Sequence, residues 1–151
     1  MNSLLSVVGL GVVASLRGSM PAAGQPGWQA DVRIQSIELL AVKGRSLNAR
    51  IVITSDNDGD ARNTRLEILL PVGVGVSRLA PGCRASTIPG HAAVNAHVSC
   101  DLGDIQVRGV REVTIATSAP APNVLMRVAA FVLSDTPDPM PSNNYAERVA
   151  P

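Results

Sequence analysis

Short segments in which apolar and polar residues alternate recur along most of the chain and are separated by turn residues. Because successive side chains of a strand point to opposite faces, this alternation predicts half-buried β-strands. The segment DVRIQSIELLAV alternates at its start and then becomes apolar. The other positions predicted to face a core are Leu47, Ala49, Ile51, Ile53, Leu66, Ile68, Leu70, Val94, Ala96, Val98, Val113, Ile115, Val124, Met126, Val128, Ala130 and Val132.

Seven or eight such segments without an amphipathic helix predict an all-β protein, an antiparallel β-sandwich of about seven strands. The composition agrees, since 46% of the residues are hydrophobic but only 2% are aromatic, which leaves Val, Ile, Leu and Ala to build the core. Thirteen glycines and eleven prolines supply the turns. The 151 residues suffice for one domain, which we place at residues 31–151, after an extension of residues 1–30.

The N-terminal segment SLLSVVGLGVVASL contains no charged residue and is too short to span a bilayer comfortably. With the small residues of Ala22–Gly24 behind it, the segment is typical of a secretory signal, although no Lys or Arg precedes it. A retained membrane or assembly segment and an internal strand are the alternatives. A retained segment could add as a strand to a neighbour's sheet and build a filament. The residues that would do so are Leu4, Leu5, Val7, Val8, Leu10, Val12 and Val13.

The two cysteines, Cys83 and Cys100, predict one disulfide in an exported chain. The alternative is a zinc site that adds His91 and His97. Its spacing, Cys-x7-His-x5-His-x2-Cys, fits no standard zinc finger. His97 and Cys100 would also face opposite sides of an extended strand, because they stand three residues apart.

The segment SDNDGDAR places Asp56, Asp58 and Asp60 at alternate positions, as in the first half of a calcium loop. Glu67 follows at the spacing of the last ligand of such a loop, but it lies inside a predicted strand. We therefore expect a polar turn in which Gly59 supplies a positive φ, with calcium binding as the alternative. Calcium is the only cofactor that the sequence suggests.

The formal net charge of +1 excludes strong steering of nucleic acid or an anionic membrane by net charge. Ser99, His97 and Asp101 cluster in sequence, but side chains at i and i+2 of a strand stand about 7 Å apart, too far for a direct His97–Ser99 hydrogen bond. The chain has no Gly-x-Ser-x-Gly elbow, and GVGVS lacks the third glycine and the helix of a phosphate-binding loop. We expect no enzymatic activity, no nucleic-acid binding and no strong membrane binding by the mature domain.

Three segments carry a resemblance to a known family. They are ARIVITSDNDGDARNTRLEILLPVGV, APGCRAS with AHVSCDLGDI, and FVLSDTPDPMPSNNYAERV, in which Asp-Pro-x-Pro-x-Asn-Asn leads into the final strand. Together they resemble the bacterial conserved repeat domain (domain of unknown function 11), an immunoglobulin-like domain related to cell-adhesion-type domains. The resemblance covers roughly residues 31–149. It implies an immunoglobulin-like sandwich in a bacterial surface or secreted protein, and it implies no catalytic residues.

We therefore expect a secreted, periplasmic or cell-surface domain with a structural or adhesive role. Its partners would be proteins or further copies of itself, bound through sheet edges, the turn 56–63 or the loop 84–93. A self-assembling filament subunit is the alternative, and a calcium-dependent carbohydrate-binding module, with Trp28 and Tyr145 for stacking, is a weaker one. Asp135–Asn144 is predicted to form the corner before the last strand, where Asp138, Asn143 and Asn144 bond to the local backbone.

Overall fold

The computed structural model describes residues 28–42, 46–87, 94–118 and 125–150. Within these ranges nine β-strands form two antiparallel sheets around one core. The strands are β1 (Asp31–Ala41), β2 (Ser46–Asp56), β3 (Ala61–Pro71), β4 (Gly75–Arg78), β5 (Cys83–Thr87), β6 (Val94–Ile105), β7 (Val110–Ser118), β8 (Arg127–Leu133) and β9 (Tyr145–Val149). The predicted all-β antiparallel sandwich is confirmed, with nine strands instead of about seven.

The strands divide unequally between the sheets. The four-stranded sheet has the order β1-β2-β7-β4, and the five-stranded sheet has the order β5-β6-β3-β8-β9. A short 3-10 turn, Pro141–Asn143, precedes β9. In the described ranges, no helix has the length and apolar character needed to cross a membrane.

The core between the sheets is aliphatic, as the alternation of the sequence predicts. Of the predicted core positions whose side chains the structure describes, all are buried except Leu47, which is partly buried. The side chains of Ile51, Ile68, Ile115 and Val128 are fully buried and come from both sheets. All three aromatic residues of the chain lie outside this core. The sandwich therefore closes without any aromatic side chain, and its aromatic residues remain on the surface.

A β-bulge explains why the pattern of β1 changes part-way along the strand. Ile34 pairs with Ile53 and Ser36 pairs with Val52, so Gln35 is one residue more than β2 can match. A bulge shifts the alternation of the strand by one residue, so the buried side chains change from even-numbered to odd-numbered positions. Val32 and Ile34 are buried before the bulge, and Ile37 is buried after it.

The corner between β8 and β9 lies where the sequence predicts it, but its contacts reach across the fold. Asp138 bonds locally, accepting a hydrogen bond from the backbone N–H of Met140 at 2.7 Å. Its other carboxylate oxygen accepts a hydrogen bond from the backbone N–H of Val32 at 3.1 Å. The Asn143 side chain donates to the carboxylate of Asp31 at 2.8 Å. The corner thus binds the start of β1, which is an edge strand, and satisfies a backbone donor there.

Candidate functional site

The outer face of the four-stranded sheet is covered by ion pairs. The guanidinium of Arg50 lies between the carboxylates of Glu112 and Glu38, at 2.7 and 3.1 Å. The hydrogen bond from Arg50 holds the pKa of Glu112 below its ordinary value. On the same face Arg33 pairs with Asp56 at 2.8 Å. Paired, solvated charges of this kind present few unsatisfied groups to a partner.

The outer face of the five-stranded sheet has a different chemistry. Strand pairing places Arg84, Ser99, Glu67, Phe131 and Tyr145 in one row that crosses all five strands. The row begins with polar side chains on β5, β6 and β3 and ends with two aromatic rings on β8 and β9. We call the aromatic end of this face, with Arg127 and Glu147, the aromatic patch.

The polar part of the row is centred on Glu67. Its carboxylate bonds to the His97 ring at 2.5 Å and accepts a hydrogen bond from the Ser99 hydroxyl at 2.9 Å. The carboxylate therefore stands between the hydroxyl and the imidazole. In a serine-based catalytic triad the imidazole stands between the other two groups, since it must take the proton of the hydroxyl. Glu67 positions both neighbours. The three groups therefore do not follow the hydroxyl–imidazole–carboxylate succession of contacts that a serine triad uses.

The aromatic patch combines stacked rings with a charged pair. The Phe131 and Tyr145 ring centroids are 4.7 Å apart, with the ring planes tilted by 41°. The Tyr145 hydroxyl donates a 2.7 Å hydrogen bond to Glu147, and Arg127 donates to the same carboxylate oxygen. The bond from Arg127, followed by that from Tyr145, holds the pKa of Glu147 below its ordinary value. The patch is thus ordered by contacts among its own side chains.

The hydrogen bond to Glu147 also raises the pKa of the Tyr145 hydroxyl above its ordinary 10.0. The folded state therefore holds this proton more tightly than the unfolded chain does. The resulting stabilisation is complete below pH 10.0 and is lost as the pH rises through the raised pKa.

We expect the tyrosinate absorbance of the folded chain to appear at a higher pH than in the urea-unfolded chain. Tyr145 is the only tyrosine, so the absorbance reports on this group alone. In Glu147→Gln the midpoint should fall towards the ordinary value, because the charged acceptor is gone. Equal midpoints in the folded wild type and Glu147→Gln would contradict the contact.

A depression opens beside the two rings on this face. It has a volume of about 230 Å³ and is lined by Leu69, Pro71, Arg127, Phe131, Tyr145 and Glu147 around Ala129. Its lining combines apolar and aromatic side chains with the charged pair Arg127 and Glu147. Concave sites of mixed character, with a few oriented polar groups, are the usual places for ligands on a protein surface.

The structure forms the predicted disulfide. Cys83 and Cys100 are directly opposite each other on β5 and β6, and their sulfur atoms are bonded at 2.02 Å. Both thiolates that the alternative zinc site would need are consumed by this bond. His91 lies outside the described residues, and His97 faces Glu67.

The three aspartates of the predicted calcium loop bond to protein groups or stand alone. Asp56 pairs with Arg33, and Asp60 accepts a hydrogen bond from the backbone N–H of Val107 at 2.9 Å. Asp58 is exposed. Within the described ranges no three His, Cys, Asp or Glu side chains are grouped as metal ligands, so these residues do not converge. Calcium binding stays an untested prediction.

The expected positive φ at Gly59 is wrong, because the turn places it on Asn57, at 71°. Asparagine tolerates this conformation, so the turn does not need a glycine for it. Gly59 has another role: a Cβ there would lie 2.8 Å from the carbonyl oxygen of Gln29. The glycine permits the segment before β1 to approach the turn and bond to its backbone.

The predicted assembly segment, Leu4, Leu5, Val7, Val8, Leu10, Val12 and Val13, lies outside the described residues. Its role in a filament stays a prediction. The candidate loop 84–93 is described only to residue 87, where it forms β5 instead of a loop. Of the predicted turn 56–63, Asp56 is the last residue of β2 and residues 61–63 begin β3, so the turn itself spans residues 57–60.

Two solved structures are similar to this fold at low sequence identity. A CARDB domain from Pyrococcus furiosus aligns with a TM-score of 0.53 at 11% identity, over 82% of this chain and 94% of that domain. A mutant of SadP from Streptococcus suis aligns with a TM-score of 0.50 at 10% identity, over 76% of this chain and 81% of the other. No family model and no curated protein matches the sequence. The similarities show the sandwich fold, and membership of the bacterial conserved repeat domain family stays a prediction.

Phe131, Arg127 and Glu147 are not among the site residues predicted from the sequence, although the alternation of the last two strands carries a signal for them. Val128, Ala130 and Val132 are predicted to face the core, so Phe131 must face outward on the same strand. Tyr145 and Glu147 stand two residues apart in a predicted strand and must share a face. An aromatic residue on the solvent side of a strand, in a chain with only three, marks a candidate binding surface.

Proposed function

We propose that this chain is a non-enzymatic binding module of a secreted or cell-surface protein, with an adhesive or structural role. In this proposal the outer face of the five-stranded sheet is the recognition surface. The observation that carries the proposal is the placement of Phe131 and Tyr145. The core is complete without them, yet both rings are held together on one outer face.

The contrast between the two outer faces supports this choice of surface. Exposed aromatic residues contribute large contact areas to recognition, and Arg is enriched beside them in binding sites. The five-stranded sheet offers both, whereas the ion pairs around Arg50 dominate the other face. The disulfide supports an oxidising location, since such bonds persist mainly in exported proteins.

The test is adhesion of beads coated with the full, oxidised chain to immobilised extracellular proteins, cell envelopes and polysaccharides. We expect wild-type beads to bind at least one of these surfaces and Phe131→Ala/Tyr145→Ala beads to lose most of that binding. The matched control is Glu38→Ala/Glu112→Ala, which alters the opposite face and should bind like the wild type. Circular dichroism checks that each variant is folded.

Three outcomes would overturn the proposal. The first is adhesion that survives in the Phe131→Ala/Tyr145→Ala variant, and the second is adhesion to none of the surfaces. The third is hydrolysis of an activated ester by the wild type that Glu67→Gln abolishes, since this would assign a catalytic role to the Glu67 cluster.

A further inference from the structure

The depression in the aromatic patch exists because one small residue stands among large ones. On the outer face of β8, Ala129 stands between Arg127 and Phe131. Its cross-strand neighbours are Leu69 on β3 and Glu147 on β9. The methyl group of Ala129 forms the floor, and the longer side chains around it form the walls. The depression is thus a property of the sheet pairing, held on rigid strands.

The walls offer two kinds of contact. Phe131 and Tyr145 are 37% and 43% exposed, which leaves aromatic surface for stacking. Opposite them, Arg127 and Glu147 present a guanidinium and a carboxylate, which form strong, directional hydrogen bonds with uncharged hydroxyl groups. A ligand that satisfies both must carry an apolar face and several hydroxyl groups.

The charges around the depression favour an uncharged ligand. Arg127 is paired with Glu147, and His97, the nearest basic group to Glu67, contacts that carboxylate. An anionic ligand would have to compete with Glu147 for Arg127, and a cationic one would have to displace Arg127 from Glu147. An uncharged ligand can bond to both members of the pair without separating them.

The volume, the charges and the small contact area of the depression argue against drug-sized ligands, lipid surfaces and proteins as its occupants. Its volume of about 230 Å³ is below the range of roughly 300–1,000 Å³ that is usual for drug-sized ligands, and fits a single sugar ring. A lipid surface would meet the charges of Arg127 and Glu147 within the apolar area. A protein partner would need a far larger contact than two rings provide.

We infer that the aromatic patch binds a neutral oligosaccharide, with one sugar residue in the depression above Ala129. The apolar face of that sugar stacks on Tyr145 and Phe131, and its hydroxyls bond to Arg127 and Glu147. Glu67 is the cross-strand neighbour of Phe131, so the Glu67, His97 and Ser99 groups receive the next sugar along the row. This inference rests on the proposed function and names its ligand class.

The binding needs no metal ion. Asp56, Asp58 and Asp60 lie in the turn between β2 and β3, and none of them lines the depression. Affinity should therefore be the same with calcium and with a chelator, which separates this site from a calcium-dependent carbohydrate module.

The test is a titration of the isotope-labelled, oxidised full chain with neutral oligosaccharides of glucose, N-acetylglucosamine and mannose, followed by amide NMR. We expect at least one of them, at millimolar concentration, to shift the amides of Ala129, Phe131 and Tyr145. Oligogalacturonate, an anionic oligosaccharide, should leave these amides unchanged.

Ala129→Leu is the decisive variant, because it fills the depression and removes none of its walls. It should weaken binding by about tenfold or more, since the sugar loses its place beside the rings. Trp28→Ala removes the one exposed aromatic residue outside the patch and should bind like the wild type. Tyr145→Phe keeps the ring and shows whether the hydroxyl contributes.

The outcomes separate this inference from the proposed function. The inference is overturned if no neutral oligosaccharide shifts the patch, if Ala129→Leu binds like the wild type, or if the shifts centre on Trp28. Bead adhesion that depends on Phe131 and Tyr145 would then still stand and would indicate a partner that contacts an area larger than the depression. Failure of both experiments overturns both.

Discussion

Reduction of the Cys83–Cys100 bond should lower the free energy of unfolding by about 3 kcal/mol, the chain-entropy estimate for a loop of this size. The reason is that the bond restricts the unfolded chain over a separation of 17 residues. In the native state we expect reduction to loosen mainly β5, because the side chains of this strand add little to the core. Arg84, Ala85, Ser86 and Thr87 are exposed, so β5 is held by its pairing with β6 and by the disulfide.

Urea denaturation of the chain with and without a phosphine reductant measures the loss of stability. Amide exchange locates the loss, and we expect faster exchange in β5 with little change in β8. The control is Cys83→Ala/Cys100→Ala, whose stability must not respond to the reductant. An oxidised and a reduced chain of equal stability would contradict the role assigned to the bond.

Ile68→Ala should destabilise the sandwich by about 2–5 kcal/mol, the usual cost of truncating a fully buried isoleucine. Ile68 lies on the central strand of the five-stranded sheet, and its neighbours Val98 and Ala130 are also fully buried. With a stability of about 5–15 kcal/mol for a typical domain, such a loss removes a large part of the total.

Leu133→Ala is the matched control, since it truncates a residue of similar size on the outer face of the same sheet. Leu133 is 49% exposed, and its truncation should cost no more than about 0.5 kcal/mol. Urea midpoints of the two oxidised variants and the wild type give the comparison. Similar losses in both variants would mean that the core is not where the burial places it.

The core could be predicted from the sequence because its signal is local. Leu66, Ile68 and Leu70 recur at every second position of one strand, where Arg65 and Glu67 supply polar neighbours, so their inward position follows from the local pattern. The change of face in β1 could not be predicted in the same way. The bulge at Gln35 depends on the register with β2, and the apolar positions after it fit either face.

The strand β5 was not predicted because apolar and polar residues do not alternate along it. Arg84 and Ser86 on one side and Ala85 and Thr87 on the other give no apolar face. Pairing with β6 makes this segment a strand, and such pairing is not readable from the segment alone. The predicted role of Gly59 was wrong for a related reason. Glycine is needed there because the backbone of Gln29, from another segment, comes close to it.

The candidate site was harder to predict because its parts come from several strands. The outward position of Phe131 follows from the alternation of β8, and Tyr145 and Glu147 follow from β9. Their contact with each other, and the position of Glu67 beside His97 and Ser99, require the strand order β5-β6-β3-β8-β9. That order brings together residues far apart in sequence, which local patterns cannot specify.

The contacts of the corner have a consequence for how the chain reaches its native state. Asp138 satisfies the backbone of Val32 from 106 residues further along the chain, and Asn143 reaches Asp31 across 112 residues. Contacts of such sequence separation slow folding, because a long loop must close before they can form. The bonds between the corner and the first strand therefore form only after almost the whole chain has been synthesised. The last segments to be synthesised thus complete the sandwich, because they supply the side chains that bond to its first strand.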